Sequence, residues 1–206
     1  MKTISLLLLS FAAALLSSCG NLAGPGADPH VAFTKRSDYK KSFDVYKNEA
    51  ALARANSSNT KVKVNLADQR AQLILREGEK ETVVLDTPCT TGKAGKRTPA
   101  GNFRITEKIV TKRSTIFGRL YKNGRQVYGG DRRKYPGSYD RYVGSPLPYW
   151  MRLTGDGIGM HFSKYVKRYP GSNGCIRMPK EPVQTIFKKT RKGTPVTITH
   201  KSAQAS

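Results

Sequence analysis

Residues 172–178 read SNGCIRM, and this stretch brings a glycine, a cysteine and an arginine together within four positions. A cysteine reacts as its thiolate, so a free thiol with a pKa of about 8.5 needs a neighbouring cation or base. Gly174 permits a tight turn, whose consecutive backbone N–H groups can bind an oxyanion. Arg177 can stabilise a thiolate or bind a substrate carboxylate. Taken alone, the stretch fits a catalytic nucleophile at Cys175 and a buried, unreactive cysteine in a strand equally well.

Three histidines could supply the base, and only one of them lies among the predicted strands of the candidate domain. His30 belongs to a segment rich in Gly, Pro and Ala, and His200 follows the last predicted strand. His161 ends an apolar segment and lies fourteen positions before Cys175. An imidazole beside a thiol can deprotonate it, so His161 is the predicted general base.

Outward from this stretch, short apolar segments predict a β-rich domain over residues 61–200. The predicted strands, which alternate with period two or form short apolar runs, are 61–66, 72–76, 82–85, 102–106, 150–153, 157–161 and 193–199. Residues 182–189 predict one short helix, because a proline suits the first turn and the apolar residues share a face. Residues 112–149 lack such patterning and predict a loop, which is either a lid over an acidic substrate or a solvated insertion.

The N-terminus predicts export. Residues 1–18 have a positive start and an apolar run too short to span a bilayer, as signal peptides do. The run ends in LSSC, which resembles the lipobox of bacterial lipoproteins and implies that Cys19 is lipidated; ordinary signal cleavage near Ser18 is the alternative. Residues 19–60 are then a lipidated tether with a possible short helix. The acyl chains would anchor the protein to a membrane of the cell envelope or periplasm.

The formal net charge of +23 favours anionic partners. Export and the lack of a nucleic-acid-binding motif argue against DNA or RNA. The charge instead indicates anionic lipid or the acidic peptides of the cell wall, with a solvated surface as the alternative.

The remaining cysteines allow two interpretations once Cys19 is acylated. Cys89 and Cys175 could form a disulfide in an exported protein, or Cys89 could be a small residue packed at a strand end. The sequence contains no cluster with metal-ligand spacing, so no metal and no cofactor are predicted.

The order of the motifs resembles the L,D-transpeptidase catalytic domain of the YkuD type over about residues 61–199. The elements that carry the resemblance are TG at 91–92, TPAGNF at 98–103, PYWM at 148–151, His161 and the cysteine motif at 172–178. The resemblance implies a mainly β fold with a short helix, arranged as the mixed β-sandwich of this family. It also implies that Cys175 is the nucleophile and His161 the base.

Further site roles follow from the same resemblance. The backbone carbonyl of Phe162 would orient the imidazole, and the backbone around Asn173, Gly174 and Cys175 would bind the oxyanion. The implied substrate contacts are Arg177, Ser172 and Trp150. One position departs from the family, since Asn173 stands where a histidine is usual. That histidine is not normally the base, so the chemistry is expected to survive, although Asn adds no positive charge.

The activity implied by the resemblance is peptidoglycan L,D-transpeptidation. The cysteine would attack the carbonyl before the terminal D-Ala of a tetrapeptide stem, and the resulting thioester would pass to an amine, giving a crosslink or an attached protein. Two alternatives stay open: transfer to water by an L,D-carboxypeptidase or peptidoglycan hydrolase with the same site, and a non-catalytic cell-wall-binding lipoprotein. The predicted partners are peptidoglycan stem peptides and, through the lipid anchor, a membrane.

Overall fold

Two mixed β-sheets form the body of the protein in a computed structural model that describes residues 28–204. The strands of this part of the chain are β1 (Tyr46–Lys47), β2 (Thr60–Asn65), β3 (Arg70–Glu77), β4 (Lys80–Pro88), β5 (Gly101–Arg104), β6 (Glu107–Lys122), β7 (Arg125–Asp131), β8 (Arg141–Arg152), β9 (Gly159–Phe162), β10 (Ile176–Met178) and β11 (Pro195–Thr199). The helices are α1 (Pro29–Thr34), α2 (Glu49–Arg54) and α3 (Lys180–Lys189).

The order of the strands explains how distant motifs meet. The first sheet runs β1-β4-β3-β2-β11-β5, and the second runs β10-β9-β8-β6-β7. Each sheet combines antiparallel pairs with one parallel pair, which is β2 with β11 in the first and β9 with β10 in the second. The predicted mixed β-sandwich with few, short helices is therefore confirmed.

One apolar core joins the two sheets. Alternation in β2 buries Val62 and Val64 completely, as the period-two pattern predicted. Met160 of β9 and Ile176 of β10 reach the same core from the second sheet. Helix α3 covers part of it with Val183 and its apolar neighbours. The strands that carry the cysteine and histidine motifs are thus fixed by packing on this core.

The prediction of a loop over residues 112–149 is wrong. Most of that stretch belongs to β6, β7 and β8, whose residues pair along an extended antiparallel ladder. Side chains on both faces of these strands are largely exposed, so the sequence shows no apolar alternation to reveal them. Leu120 is an exception, since it is completely buried close to Tyr128 and Tyr142 of the neighbouring strands.

The part of the predicted tether that the structure describes packs on the first sheet. Helix α1 buries His30, whose Nε2 lies 2.8 Å from the Asp86 carboxylate on β4. Tyr39 donates a hydrogen bond of 2.9 Å to the same carboxylate, and the Arg70 guanidinium pairs with it. Residues 1–18, the predicted signal peptide, and Cys19 lie outside the described residues. Within residues 28–204, the helices are too short and too polar to cross a bilayer.

Candidate active site

Strands β9 and β10 bring the predicted base and nucleophile to one edge of the second sheet. They pair in parallel, with Met160 opposite Ile176 and His161 opposite Arg177. Cys175 directly precedes β10 and so lies beside the start of β9, diagonal to His161. Neighbouring strands are about 4.8 Å apart, so the two side chains belong to one local site.

The imidazole of His161 is buried and oriented by the backbone. Its Nδ1 lies 2.7 Å from the Phe162 carbonyl oxygen, the group that the sequence placed there. A carbonyl only accepts, so Nδ1 carries the proton and donates it, which leaves Nε2 with a free lone pair. Burial, aided by the charge of Arg177 and opposed by the hydrogen bond to Phe162, lowers the pKa of His161 to about 4. The ring is therefore neutral near pH 7, as a general base must be.

The surroundings of Cys175 favour the protonated thiol. Burial raises the pKa of Cys175, while the backbone N–H of Gly159 and the charge of Arg177 act in the opposite direction. Its Sγ lies 3.7 Å from the Gly157 carbonyl oxygen. The resting pair is thus a thiol beside a neutral imidazole, and no thiolate–imidazolium pair is formed in advance.

The loop before the cysteine is held by Ser172. Its buried hydroxyl donates to the Cys175 carbonyl oxygen at 2.6 Å and accepts from the Gly174 N–H at 3.0 Å. This occupies the N–H of Gly174, one of the groups predicted to bind an oxyanion. The N–H groups of Asn173 and Cys175 have no protein partner among residues 28–204. Ser172 itself was predicted to contact substrate, but with 1% of its surface exposed it supports the loop instead.

A second loop approaches the same turn. The N–H of Gly92 donates to Thr98 Oγ at 2.9 Å, and Thr98 Oγ donates to the Gly174 carbonyl oxygen at 2.6 Å. Gly92 has to be glycine here, because a Cβ would lie 2.0 Å from the Lys96 carbonyl oxygen. Thr98 was not predicted as a site residue, because its contact with Gly174 spans 76 residues of chain.

Trp150 stands behind the imidazole. It is 2% exposed, its ring centroid lies 6.2 Å from that of His161, and its Nε1 donates to Glu107 at 2.8 Å. A side chain at Gly159 would collide with this indole, with atoms 2.6 Å apart. Trp150 was predicted to contact substrate, but so buried a ring supports His161. Glu107 was missed, because nothing local marks its contact with a residue 43 positions away.

The two remaining predicted site residues, Arg177 and Asn173, differ in exposure. Arg177 is half-buried opposite His161, where its charge influences both His161 and Cys175. Asn173 is exposed, and its side chain has no hydrogen bond within the part of the chain described here. Arg177 and Arg152 thus both place positive charge near Cys175.

Cys89 belongs to a different environment. The bridge between Thr90 and Arg177 places Cys89 near Met178, about three residues or roughly 10 Å along the strand from Cys175. That separation exceeds the reach of a disulfide, and both thiols are free. Cys89 is completely buried, and burial raises its pKa to about 12.

A metal site was looked for among the side chains of residues 28–204. No group of three or more His, Cys, Asp or Glu side chains within residues 28–204 is arranged to hold a metal ion. The chemistry considered below uses only side chains and backbone groups of this site.

The comparisons with known proteins agree with this geometry. The model of the L,D-transpeptidase catalytic domain, YkuD, matches residues 59–198, so the chain belongs to that family. The comparison with curated proteins gave no match.

Several solved structures of L,D-transpeptidases are similar to this chain. An L,D-transpeptidase from Mycobacterium smegmatis aligns with a TM-score of 0.52 and 17% identity, covering 68% of this chain and 58% of its own. The L,D-transpeptidase from Stackebrandtia nassauensis aligns with a TM-score of 0.49 and 20% identity, covering 76% of this chain and 66% of its own. The catalytic domain of the Enterococcus faecium L,D-transpeptidase aligns with a TM-score of 0.47 and 27% identity, covering 68% of this chain and 97% of its own. The chain therefore spans about 58% of the length of the mycobacterial relative.

Proposed function

We propose that the protein is a cysteine-dependent L,D-transpeptidase that acts on the tetrapeptide stems of peptidoglycan. Membership of the family makes this the leading activity. The observation that carries it is a buried, neutral imidazole, oriented by the Phe162 carbonyl, on the strand beside Cys175. A non-catalytic wall-binding protein would have no use for an imidazole held neutral at this position.

The first step is general-base catalysis by His161. Its Nε2 takes the thiol proton while Sγ of Cys175 attacks the carbonyl carbon that precedes the terminal D-Ala. A carbon–sulfur bond forms, and the carbonyl oxygen becomes an oxyanion that the N–H of Cys175 is free to bind. The positive imidazolium and the negative oxyanion arise together, so the buried site does not acquire a net charge.

The second step releases D-Ala and the third transfers the acyl group. The carbon–nitrogen bond breaks, the imidazolium protonates the departing amine, and a thioester to Cys175 is left. An acceptor amine then loses a proton to His161 as it attacks the thioester. Sulfur leaves and recovers that proton, which restores the resting site.

Arg177 links substrate binding to the basicity of His161. Its positive charge lowers the pKa of the imidazole in the free protein. When Arg177 binds the carboxylate of the D-Ala, the two charges largely cancel and the imidazole becomes a stronger base. The donor stem would thereby activate the group that attacks it.

Export and anchoring belong to the same proposal. Residues 1–18 direct secretion, Cys19 carries the lipid, and the body of the protein acts at a membrane of the cell envelope. The net charge of +23 suits a surface facing acidic stems and anionic lipid.

Incubation of the detergent-solubilised full chain with disaccharide-tetrapeptide, followed by mass analysis, tests the proposal. We expect dimers lacking one D-Ala and an acyl adduct on Cys175. Cys175→Ala should show neither, while Cys89→Ala is the matched control and should keep both. Tripeptide monomers alone would instead identify an L,D-carboxypeptidase. Turnover by Cys175→Ala, or alkylation of Cys175 by iodoacetamide no faster than that of Cys89, would refute the proposal.

A further inference from the structure

We propose that Thr98 is a positioning residue for acyl transfer, because its hydroxyl fixes the peptide plane that aims the Cys175 N–H at the oxyanion. This inference rests on the proposed function, since it concerns how that nucleophile is acylated. The juxtaposition behind it is the contact between Thr98 Oγ and the carbonyl oxygen of Gly174.

The direction of the Thr98 hydroxyl is set by its two partners. The N–H of Gly92 donates to Thr98 Oγ at 2.9 Å, which uses a lone pair of the oxygen. The single hydroxyl proton then points to the Gly174 carbonyl, 2.6 Å away. Thr98 is 4% exposed, so water does not compete for these bonds.

Peptide geometry carries this constraint to Cys175. The Gly174–Cys175 bond is trans, so its C=O and N–H point in opposite directions. A carbonyl held by Thr98 therefore turns the Cys175 N–H to the other side of the plane. No protein group within residues 28–204 takes that N–H, which leaves it available to a ligand.

The Gly174–Cys175 peptide plane needs a hydrogen bond to hold it, because the backbone of glycine rotates more freely than that of other residues. Gly174 has φ of +116°, a region that residues with a side chain rarely adopt, and a glycine peptide can rotate at little cost. Ser172 holds the two neighbouring peptide groups, one through the Gly174 N–H and the other through the Cys175 carbonyl. Only Thr98 holds the carbonyl between them in the described structure.

Loss of this hydrogen bond should affect acylation of Cys175 but not its alkylation. An acylating agent passes through a tetrahedral oxyanion, so its rate depends on the aim of the Cys175 N–H. Iodoacetamide alkylates sulfur by direct displacement of iodide and forms no oxyanion. Loss of the Thr98 hydroxyl should therefore slow acylation and spare alkylation, whereas a general disturbance of the loop would slow both.

The test compares the two reactions at Cys175 in the full-length protein. The acylating probe is p-nitrophenyl acetate, which leaves acetyl on sulfur and releases p-nitrophenolate, and the alkylating probe is iodoacetamide. In Thr98→Val we expect acylation to fall roughly ten- to a hundredfold, part of the loss reported for removal of an oxyanion donor. Alkylation should stay within about twofold of wild type, because it lacks that donor's contribution. Thr98→Ser, which keeps the hydroxyl, should restore most of the acylation rate.

Each other outcome overturns an identifiable claim. Equal loss of both reactions, or no loss of acylation, or failure of Thr98→Ser to recover, would refute the positioning role. If Thr98→Val does not fold, Thr98→Ala carries the same comparison. Loss of fold in both would assign the hydroxyl to stability and also refute it. Wild-type protein that is alkylated but never acylated at Cys175 would instead refute the proposed function.

Discussion

His30 and His161 are buried to a similar degree, 8% and 5% exposed, yet their partners differ in kind. His30 contacts the Asp86 carboxylate, which also receives hydrogen bonds from Tyr39 and Gln72. His161 has a backbone carbonyl as its partner and a guanidinium close by. The first histidine is held through Nε2 by a buried carboxylate, whereas the second is held through Nδ1 by a backbone carbonyl and keeps Nε2 free. Burial therefore does not distinguish the two histidines, whereas the group that each ring contacts does.

Exchanging each histidine for glutamine should separate the two roles most clearly. His161→Gln removes the base, so we expect kcat/KM on the disaccharide-tetrapeptide to fall roughly 10²–10⁴-fold. His30→Gln should keep kcat/KM but lower the free energy of unfolding by about 1–3 kcal/mol, because Asp86 loses a buried partner. Steady-state turnover and urea unfolding measure the two effects. A large loss of turnover in His30→Gln, with stability intact, would break the comparison.

The pH dependence of activity tests the neutral state of His161. Since burial lowers its pKa to about 4, the imidazole stays neutral and active down to about that pH. Below it, kcat/KM should fall roughly tenfold per pH unit as the base is protonated. The unfolded chain takes up this proton at its ordinary pKa, so stability falls as the pH drops from about 6.5 to 4. Circular dichroism at each pH separates unfolding from titration, and an acidic limb near 6.5 would contradict the assignment.

The smallest effect is expected where a fourth histidine would be introduced, at position 173. Asn173 is exposed, and its side chain has no hydrogen bond in the described region. Asn173→His, which installs the residue usual in the family, should change kcat/KM by less than about threefold, as should the matched Asn173→Ala. Rates for the three proteins on the same substrate decide this. A gain of more than about tenfold in Asn173→His alone would show that this position contributes to catalysis.

The site residues that could be predicted from the sequence are those whose partners lie close along the chain. Cys175 and His161 stood out because they lie fourteen positions apart in an ordered set of motifs. The contacts of His30 with Asp86 and of Thr98 with Gly174 span 56 and 76 residues, so no window of sequence contained them. The roles of Ser172 and Trp150 were misjudged because residue type does not reveal exposure.

The strands over residues 112–149 were missed for a different physical reason. Most of their side chains are exposed on both faces, so the pairing of backbone groups defines these strands and no apolar stripe is required. Where one face is buried, as in β2 with Val62 and Val64, alternation located the strand correctly. Apolar patterning therefore identified the strands of the core and did not detect the exposed strands.

The cluster around Asp86 also has a mechanical meaning. If Cys19 is tied to a membrane, any tension on the protein enters the described chain at Asp28 and is met first by His30 and Tyr39, both fastened to β4. Strands β9 and β10 lie in the other sheet, and β10 meets the chain just beyond β4 through the bridge between Thr90 and Arg177. The hydrogen bonds of the Asp86 cluster would therefore have to break before tension on β4 reached Arg177 and the site around Cys175.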